Sequence, residues 1–369
     1  MPVLLEAGPE ARTETGPKTG PKTGPKTGPK TGTDAAFLRI VDELTRRGFL
    51  GGLLGTAALA GVAGCGSDDR PAASSTPATR VVDSAYGKVA VPTQPRRVVC
   101  VDTYTISALL DVGYTPVGVG GDGADFMLAR YRGSYEKLPK VATFDEVALE
   151  AVATLAPDLI LGVDYPYIAK VRTKLAAIAP TVIFPWATSG AWVPMATAAT
   201  ALVGKAGPED SLEREYHAKA AQIRSAYADV LGTTEFALVS AGGGQAYVWL
   251  PGSGVAQVLA GAGVRLDRAS SGAAVDASRS DQSSGFKAIS YERLGVLSDA
   301  GAIITVAAPD GGLDKDGRQL TTEPTFRGLP AARKGLVAPL VNFFPFSYGQ
   351  AIAALNELTV FLDRIRRTR

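Results

Sequence analysis

"LEAVATLAPDLILGVDYPYIAKVRTKLAAIAPTVIFPWATS", residues 149–189, decides the fold. Its first seven residues favour helix and run into Pro157, so the pattern predicts a helix over 149–155 that proline ends. The apolar run at 159–162 is too short for a helix and predicts a buried strand. A second helix is predicted over 167–178 and a second strand over 181–184, after Pro180. Strands alternating with helices at this spacing require crossovers, which give a largely parallel sheet covered by helices.

The same alternation extends in both directions. Upstream, "VVDSAYGKVAVPTQPRRVVCVD" gives two β-rich runs around "PTQP", the second with a buried strand at 98–101, followed by a helix and a strand at 116–119. Downstream, "PEDSLEREYHAKAAQIRSAYADVL" predicts the longest helix of the chain, 208–231, with acidic residues at its start and Gly232 at its end. Beyond it, strands are predicted at 236–240, 246–250, 302–306 and 336–339, and helices at 254–262, 291–296 and 348–366. The sequence therefore predicts an α/β fold of two Rossmann-like lobes of similar architecture, joined by a single long connecting helix.

The 369 residues suffice for two domains of ordinary size. With 46% hydrophobic and 20% charged residues and a net charge of +2, the composition is that of a soluble globular body. Neither nucleic-acid binding nor a polytopic membrane protein is expected. The single histidine, His217, falls inside the long helix, so neither a Ser-His-Asp nor a Cys-His constellation has a base near a loop, and no catalytic residue is expected. "SAGGGQ" lacks the Lys-Ser/Thr of a phosphate loop and predicts a tight turn after a strand. One histidine and no tight acidic cluster in the body also argue against direct metal capture. Cys100, in "RRVVCVD", is expected to be a buried free thiol.

The amino-terminal part differs in kind. Four Thr-Gly-Pro-Lys tetrapeptides within 15–34 cannot bury apolar surface, and residues 1–44 are expected to be either a disordered extension or an over-extended start. "TRRGFLGGLLGTAALAGVAGCGS", residues 45–67, joins Arg46 and Arg47 to an apolar run of about seventeen residues, short for a membrane span. "TRRGFL" resembles a twin-arginine export signal and "VAGC" resembles a lipobox. The resemblance implies a signal peptide over 45–64, lipidation at Cys65 and a Ser/Pro/Ala-rich tether over 65–80.

Four further stretches, "GKVAVPTQPRRVV", "LEAVATLAPDLILG", "ISYERLGVLSDAGAIITV" and "GLPAARKGLVAPL", resemble successive signatures of periplasmic binding proteins of the iron-siderophore and cobalamin transporter class. The resemblance runs through about 81–369 and implies lobes over 81–206 and 233–369 with the connecting helix at 207–232 and a ligand cleft between the lobes. It implies a lipid-anchored, extracytoplasmic, monomeric protein without a cofactor, which captures a ferric siderophore as cargo for an ABC permease. Cobalamin, haem and a non-transport role at the cell surface are the alternatives. By motif, Glu150 and Glu292 are the acidic residues that would dock the permease, one on each lobe. Aromatic and polar residues near the ends of the predicted strands are the candidates for the cargo site: Tyr104, Asp122, Tyr165, Tyr167 and Trp186 in the first lobe, and Tyr247, Trp249, Phe286, Phe343, Phe344 and Phe346 in the second. Arg268, Arg279 and Arg327 are the candidates for charge-assisted contact with an acidic ligand.

Overall fold

The structure, a computed structural model, describes residues 78–185, 192–272 and 285–369. Cys65, Arg46, Arg47, Trp186 and Arg279 lie outside the described residues.

A hairpin of β1 (Thr79–Ser84) and β2 (Gly87–Pro92) opens the described chain. It is tied to the first lobe where Arg80 donates to the carbonyls of Ala201 and Leu202, at 2.8 and 3.1 Å, and the Ala85 amide donates to Ile183. The first lobe follows as β3 (Val98–Cys100), α1 (Thr105–Asp111), β4 (Gly118–Gly120), α2 (Ala129–Lys137), β5 (Lys140–Ala142), α3 (Leu149–Thr154), β6 (Leu159–Val163), α4 (Pro166–Ala169), α5 (Arg172–Ile178) and β7 (Thr181–Phe184). Its five strands lie parallel in the order β5-β4-β3-β6-β7. The predicted helix over 167–178 is two helices, and α2 and β5 were not predicted. The strand expected at 116–119 is shifted to Gly118–Gly120.

Two of the signature stretches interlock. The Asp158 carboxylate, just before β6, accepts the Arg96 and Arg97 amides at 2.7 and 2.9 Å. The Arg97 guanidinium in turn donates to the Leu155 and Ala156 carbonyls left open at the end of α3. "PRRVV" and "LAPDLI" thus set the register of β3 against β6.

Between the sheets run α6 (Trp192–Leu202), α7 (Ala206–Ala226) and α8 (Ala228–Leu231). The long helix starts and ends a few residues earlier than predicted. The second lobe holds β8 (Glu235–Gly242), β9 (Gln245–Trp249), α9 (Gly254–Gly261), β10 (Arg265–Leu266), β11 (Phe286–Ile289), a 3-10 helix (Tyr291–Leu297), β12 (Ala302–Val306), α10 (Lys315–Thr322), α11 (Pro324–Arg327), α12 (Pro330–Arg333), β13 (Val337–Leu340) and α13 (Tyr348–Arg367).

The expectation that the second lobe repeats the first needs correction. Its sheet is mixed, in the order β11-β9-β8-β12-β13, with β9 antiparallel to both its neighbours and β10 added to β8. The cause is local: Gly243 and Gly244, with φ of 58° and 76°, close a two-residue hairpin turn. Two successive left-handed residues match the twist of the flanking strands, so "SAGGGQ" reverses the chain.

Strand alternation decides how the layers pack. Val98 and Cys100 of β3, Leu159 and Leu161 of β6, and Phe236 and Leu238 of β8 join one core that also takes in α7 and α13. Their neighbours Val99, Val101 and Ile160 face a separate core of the first lobe, and Ala237 and Val239 face one of the second. Both lobes therefore bury one sheet face in a shared core. Among the described residues no helix is long and apolar enough to cross a membrane.

Candidate functional site

In the first sheet the strand order reverses between β3 and β6, the point where open α/β sheets place their ligands. Tyr104 follows the end of β3 and Tyr165 the end of β6. Their rings stack with centroids 5.6 Å apart and an interplanar angle of 15°, and the Tyr104 hydroxyl donates to that of Tyr165 at 3.4 Å. Tyr167 stands 6.0 Å beyond Tyr165. Burial pushes the Tyr104 and Tyr167 phenols well above their ordinary value, so both keep their protons and remain hydrogen-bond donors.

Beneath this corner lies Asp102, fully buried, which accepts the amides of Tyr104 and Thr105 at 2.6 and 2.7 Å and the Thr105 hydroxyl at 3.1 Å. Burial pushes its carboxyl up to about 6, against the opposing pull of those amides. Asp102 fixes the start of α1 and with it the Tyr104 ring.

Aromatic contacts continue from Tyr104 into the second lobe. Phe346 meets Tyr104 edge-on at 4.6 Å and Phe126 at 6.2 Å; Phe126 meets Phe344 at 6.1 Å. Phe344 meets Trp249 at 5.2 Å, Trp249 meets Phe286 at 5.1 Å, and Phe286 meets Tyr247 at 5.0 Å. An unbroken row of rings thus runs from Tyr167 to Tyr247. Trp249 anchors its far end, since the indole N–H donates to the Ser240 hydroxyl at 2.8 Å. Tyr165, Phe126, Phe344, Phe286 and Tyr247 are half-buried.

The structure brings together Tyr104, Tyr165, Tyr167, Tyr247, Trp249, Phe286, Phe344 and Phe346, all named from sequence. Phe343 is fully buried behind Phe344 and serves as core. Asp122 is placed otherwise: it is exposed and accepts the Phe144 amide at 3.0 Å, which ties down the turn after β5. Phe126 was missed by sequence reasoning because it lies in a 3-10 turn, Ala124–Phe126, away from any strand end. That turn is held by buried Tyr135 of α2, whose hydroxyl accepts the Gly123 amide at 2.9 Å and donates to the Gly120 carbonyl. Any side chain at 123 would place its Cβ 2.7 Å from the Thr103 methyl, so the signal was a glycine, not an aromatic pattern.

Arg268 is exposed. Arg327 lines a groove of about 400 Å³ with Leu313, Phe326 and Val337, which shares no residue with the aromatic row. Glu150 lies in the first turn of α3 and Glu292 in the first turn of the 3-10 helix, one on each lobe. A hydrogen bond with Ser290 holds the Glu292 carboxyl below its ordinary value, so it is ionised. His217 is exposed on α7, 3.8 Å from Glu213. Cys100 is buried, and among the described residues no group of three His, Cys, Asp or Glu side chains is placed to hold a metal.

The chain is 32% identical over 124 residues to the Fe(3+)-citrate-binding protein YfmC of Bacillus subtilis, a match covering 33% of this chain and 39% of that protein. It is 29% identical over 162 residues to the probable siderophore-binding lipoprotein YfiY of the same organism, covering 42% and 48%. The matched region thus spans less than half the length of either relative. Among solved structures, the siderophore periplasmic binding protein from the fuscachelin gene cluster of Thermobifida fusca superposes with a TM-score of 0.64 at 27% identity, over 74% of this chain and 98% of that one. Staphylococcus aureus SirA complexed with staphyloferrin B gives 0.63 at 18% identity, over 77% and 99%, a likeness of fold. The periplasmic binding protein family matches residues 98–340, well over half of the sequence, and the chain therefore belongs to that family of solute-binding, non-catalytic proteins.

Proposed function

We propose that this protein is a lipid-anchored, extracytoplasmic binding protein that captures a ferric siderophore and delivers it to an ABC permease. The observation that carries the reading is the unbroken aromatic row across the two lobes. A chelator already surrounds iron with its own oxygens, so the binding protein needs apolar walls and phenolic donors and no metal ligands of its own. The names of the relatives, as ferric-citrate-binding and siderophore-binding proteins, support the same class of cargo.

In this reading the leader occupies 45–64, Cys65 carries the lipid, 65–80 is the tether, and lobes over 81–206 and 233–369 are joined by 207–232. Tyr104, Tyr165, Tyr167, Tyr247, Trp249, Phe286 and Phe344 contact the cargo, and Glu150 and Glu292 meet the permease. Docking by two acidic residues on separate lobes lets the partner sense whether the lobes have approached.

Titration calorimetry with ferric hydroxamate, catecholate and carboxylate chelates, each iron-loaded and iron-free, with cobalamin and haem as further arms, tests the cargo. The reading expects micromolar or tighter saturable binding of one ferric chelate class. Binding of cobalamin or haem alone, or of none of them, would overturn it.

A further inference from the structure

The aromatic row crosses from one lobe to the other where Tyr104 and Phe126 of the first lobe meet Phe346 and Phe344 of the loop before α13. Stacking alone would leave this junction adjustable, because ring pairs contribute only about 0.5–1.5 kcal/mol each and tolerate sliding. A directional tie is present. Gln350, in the first turn of α13, is 1% exposed. Its side-chain amide donates to the Phe126 carbonyl, and its side-chain oxygen accepts the Phe346 amide at 2.9 Å. One planar group therefore holds the backbones of both segments that carry the rings.

The surrounding contacts fix Gln350 in turn. The Ser347 hydroxyl caps α13 by accepting the Gln350 amide at 3.3 Å. The Gly349 amide donates to the carboxylate of Asp111 at 2.8 Å, and Asp111, at the end of α1, also pairs with Arg130 at 3.0 Å. A side chain at 349 would collide with that carboxylate. The amino-terminal turn of a second-lobe helix is thus seated on the first lobe.

We infer that Gln350 is a positioning residue for cargo recognition: it sets the two halves of the aromatic row in register before a ligand arrives. This rests on the cargo reading above, but its geometric part stands without any ligand. A glutamine suits the task because one end must accept and the other donate, and the two groups it serves are a buried amide and a partly buried carbonyl, each costly to leave unpaired.

Two substitutions separate the ties. Gln350→Leu removes both, and Gln350→Glu keeps an acceptor for the Phe346 amide while losing the donor to Phe126. Hydrogen exchange on the ligand-free protein is expected to quicken at 124–127 and at the Phe346 amide in Gln350→Leu. In Gln350→Glu it is expected to quicken at 124–127 with Phe346 still protected. Affinity for the ferric chelate that binds the wild type is expected to fall about tenfold or more in Gln350→Leu. Exchange unchanged at both segments, or exchange raised uniformly through the second lobe, would overturn the assignment. So would wild-type affinity in both variants. If no ferric chelate binds the wild type, the cargo reading fails separately and the exchange pattern still decides whether Gln350 sets the register.

Discussion

Glu209 offers a stability prediction whose sign and size follow from its surroundings. It lies in the first turn of α7 and is 2% exposed, and one of its carboxylate oxygens is buried without a hydrogen-bond partner. Burial, followed by the charges of Asp111, Glu213 and Asp210, pushes its carboxyl up to about 7. The folded state thus holds this proton more tightly than the unfolded chain does. The ionised group costs stability that is absent below about pH 4.5, grows as pH rises to about 7, and stays constant above. A shift of this size corresponds to about 3 kcal/mol at full value, which solvent access and relaxation around the neighbouring carboxylates reduce to about 1–2 kcal/mol. Replacing the charge by an amide, Glu209→Gln, should recover that amount at pH 8, a rise in melting temperature of about 2–5 °C for a domain of this size. At pH 5 most of the gain should vanish, because the wild-type carboxyl is then largely protonated. Calorimetric melting of both proteins at the two pH values decides the matter. A difference that is the same at pH 5 and pH 8 would refute the argument, since a neutral effect of the amide would not depend on pH.

Three further outcomes are expected. Charge reversal at Glu150 and Glu292 together should abolish uptake of the ferric cargo by cells while leaving its affinity for the purified protein unchanged, measured by radiolabelled-iron transport and calorimetry; undiminished transport would remove the docking role. Gly244→Ala, at a φ of 76°, should destabilise the protein by about 1 kcal/mol in urea unfolding, whereas Gly252→Ala, where a Cβ meets nothing within 4 Å and φ is not positive, should differ little from wild type. Cys65→Ala should release the exported protein from the membrane fraction, and a membrane-bound variant would contradict anchoring through that residue.

The parts of the fold legible in sequence are those where burial on both faces leaves continuous apolar runs. Leu159–Val163 and Thr181–Phe184 are bounded by prolines and β-branched or leucine-rich, so their length and type could be read directly. Short edge elements escape such reading: β5 is three residues, begins with an exposed lysine, and owes its existence to β4. The break between α4 and α5 at Lys170 and Val171 carries no glycine or proline, and the antiparallel half of the second sheet depends on two glycines whose φ sequence does not display. At the candidate site, Tyr104, Tyr165 and Phe344 could be grouped from sequence because parallel topology gathers the loops beyond the strands' carboxyl ends, whereas Tyr247, Trp249 and Phe286 lie within the antiparallel pair β9 and β11. Phe126 and Gln350 were not legible, because their positions depend on Tyr135 and on the seating of α13 against Asp111, contacts between residues far apart in the chain. Glu209 was read as an ordinary helix-start acid, and only packing shows that it is buried.

The central claim is that cargo sits against the aromatic row, and Trp249 reports on it. In a protein whose other two tryptophans, Trp186 and Trp192, are replaced by phenylalanine, the remaining indole lies 5.2 Å from Phe344 and 5.1 Å from Phe286. A ferric chelate bound there should quench Trp249 emission saturably, with the dissociation constant found by calorimetry, and Tyr104→Ala combined with Tyr165→Ala should weaken both signals together. Calorimetric binding that leaves Trp249 emission unchanged would place the cargo elsewhere and contradict the account.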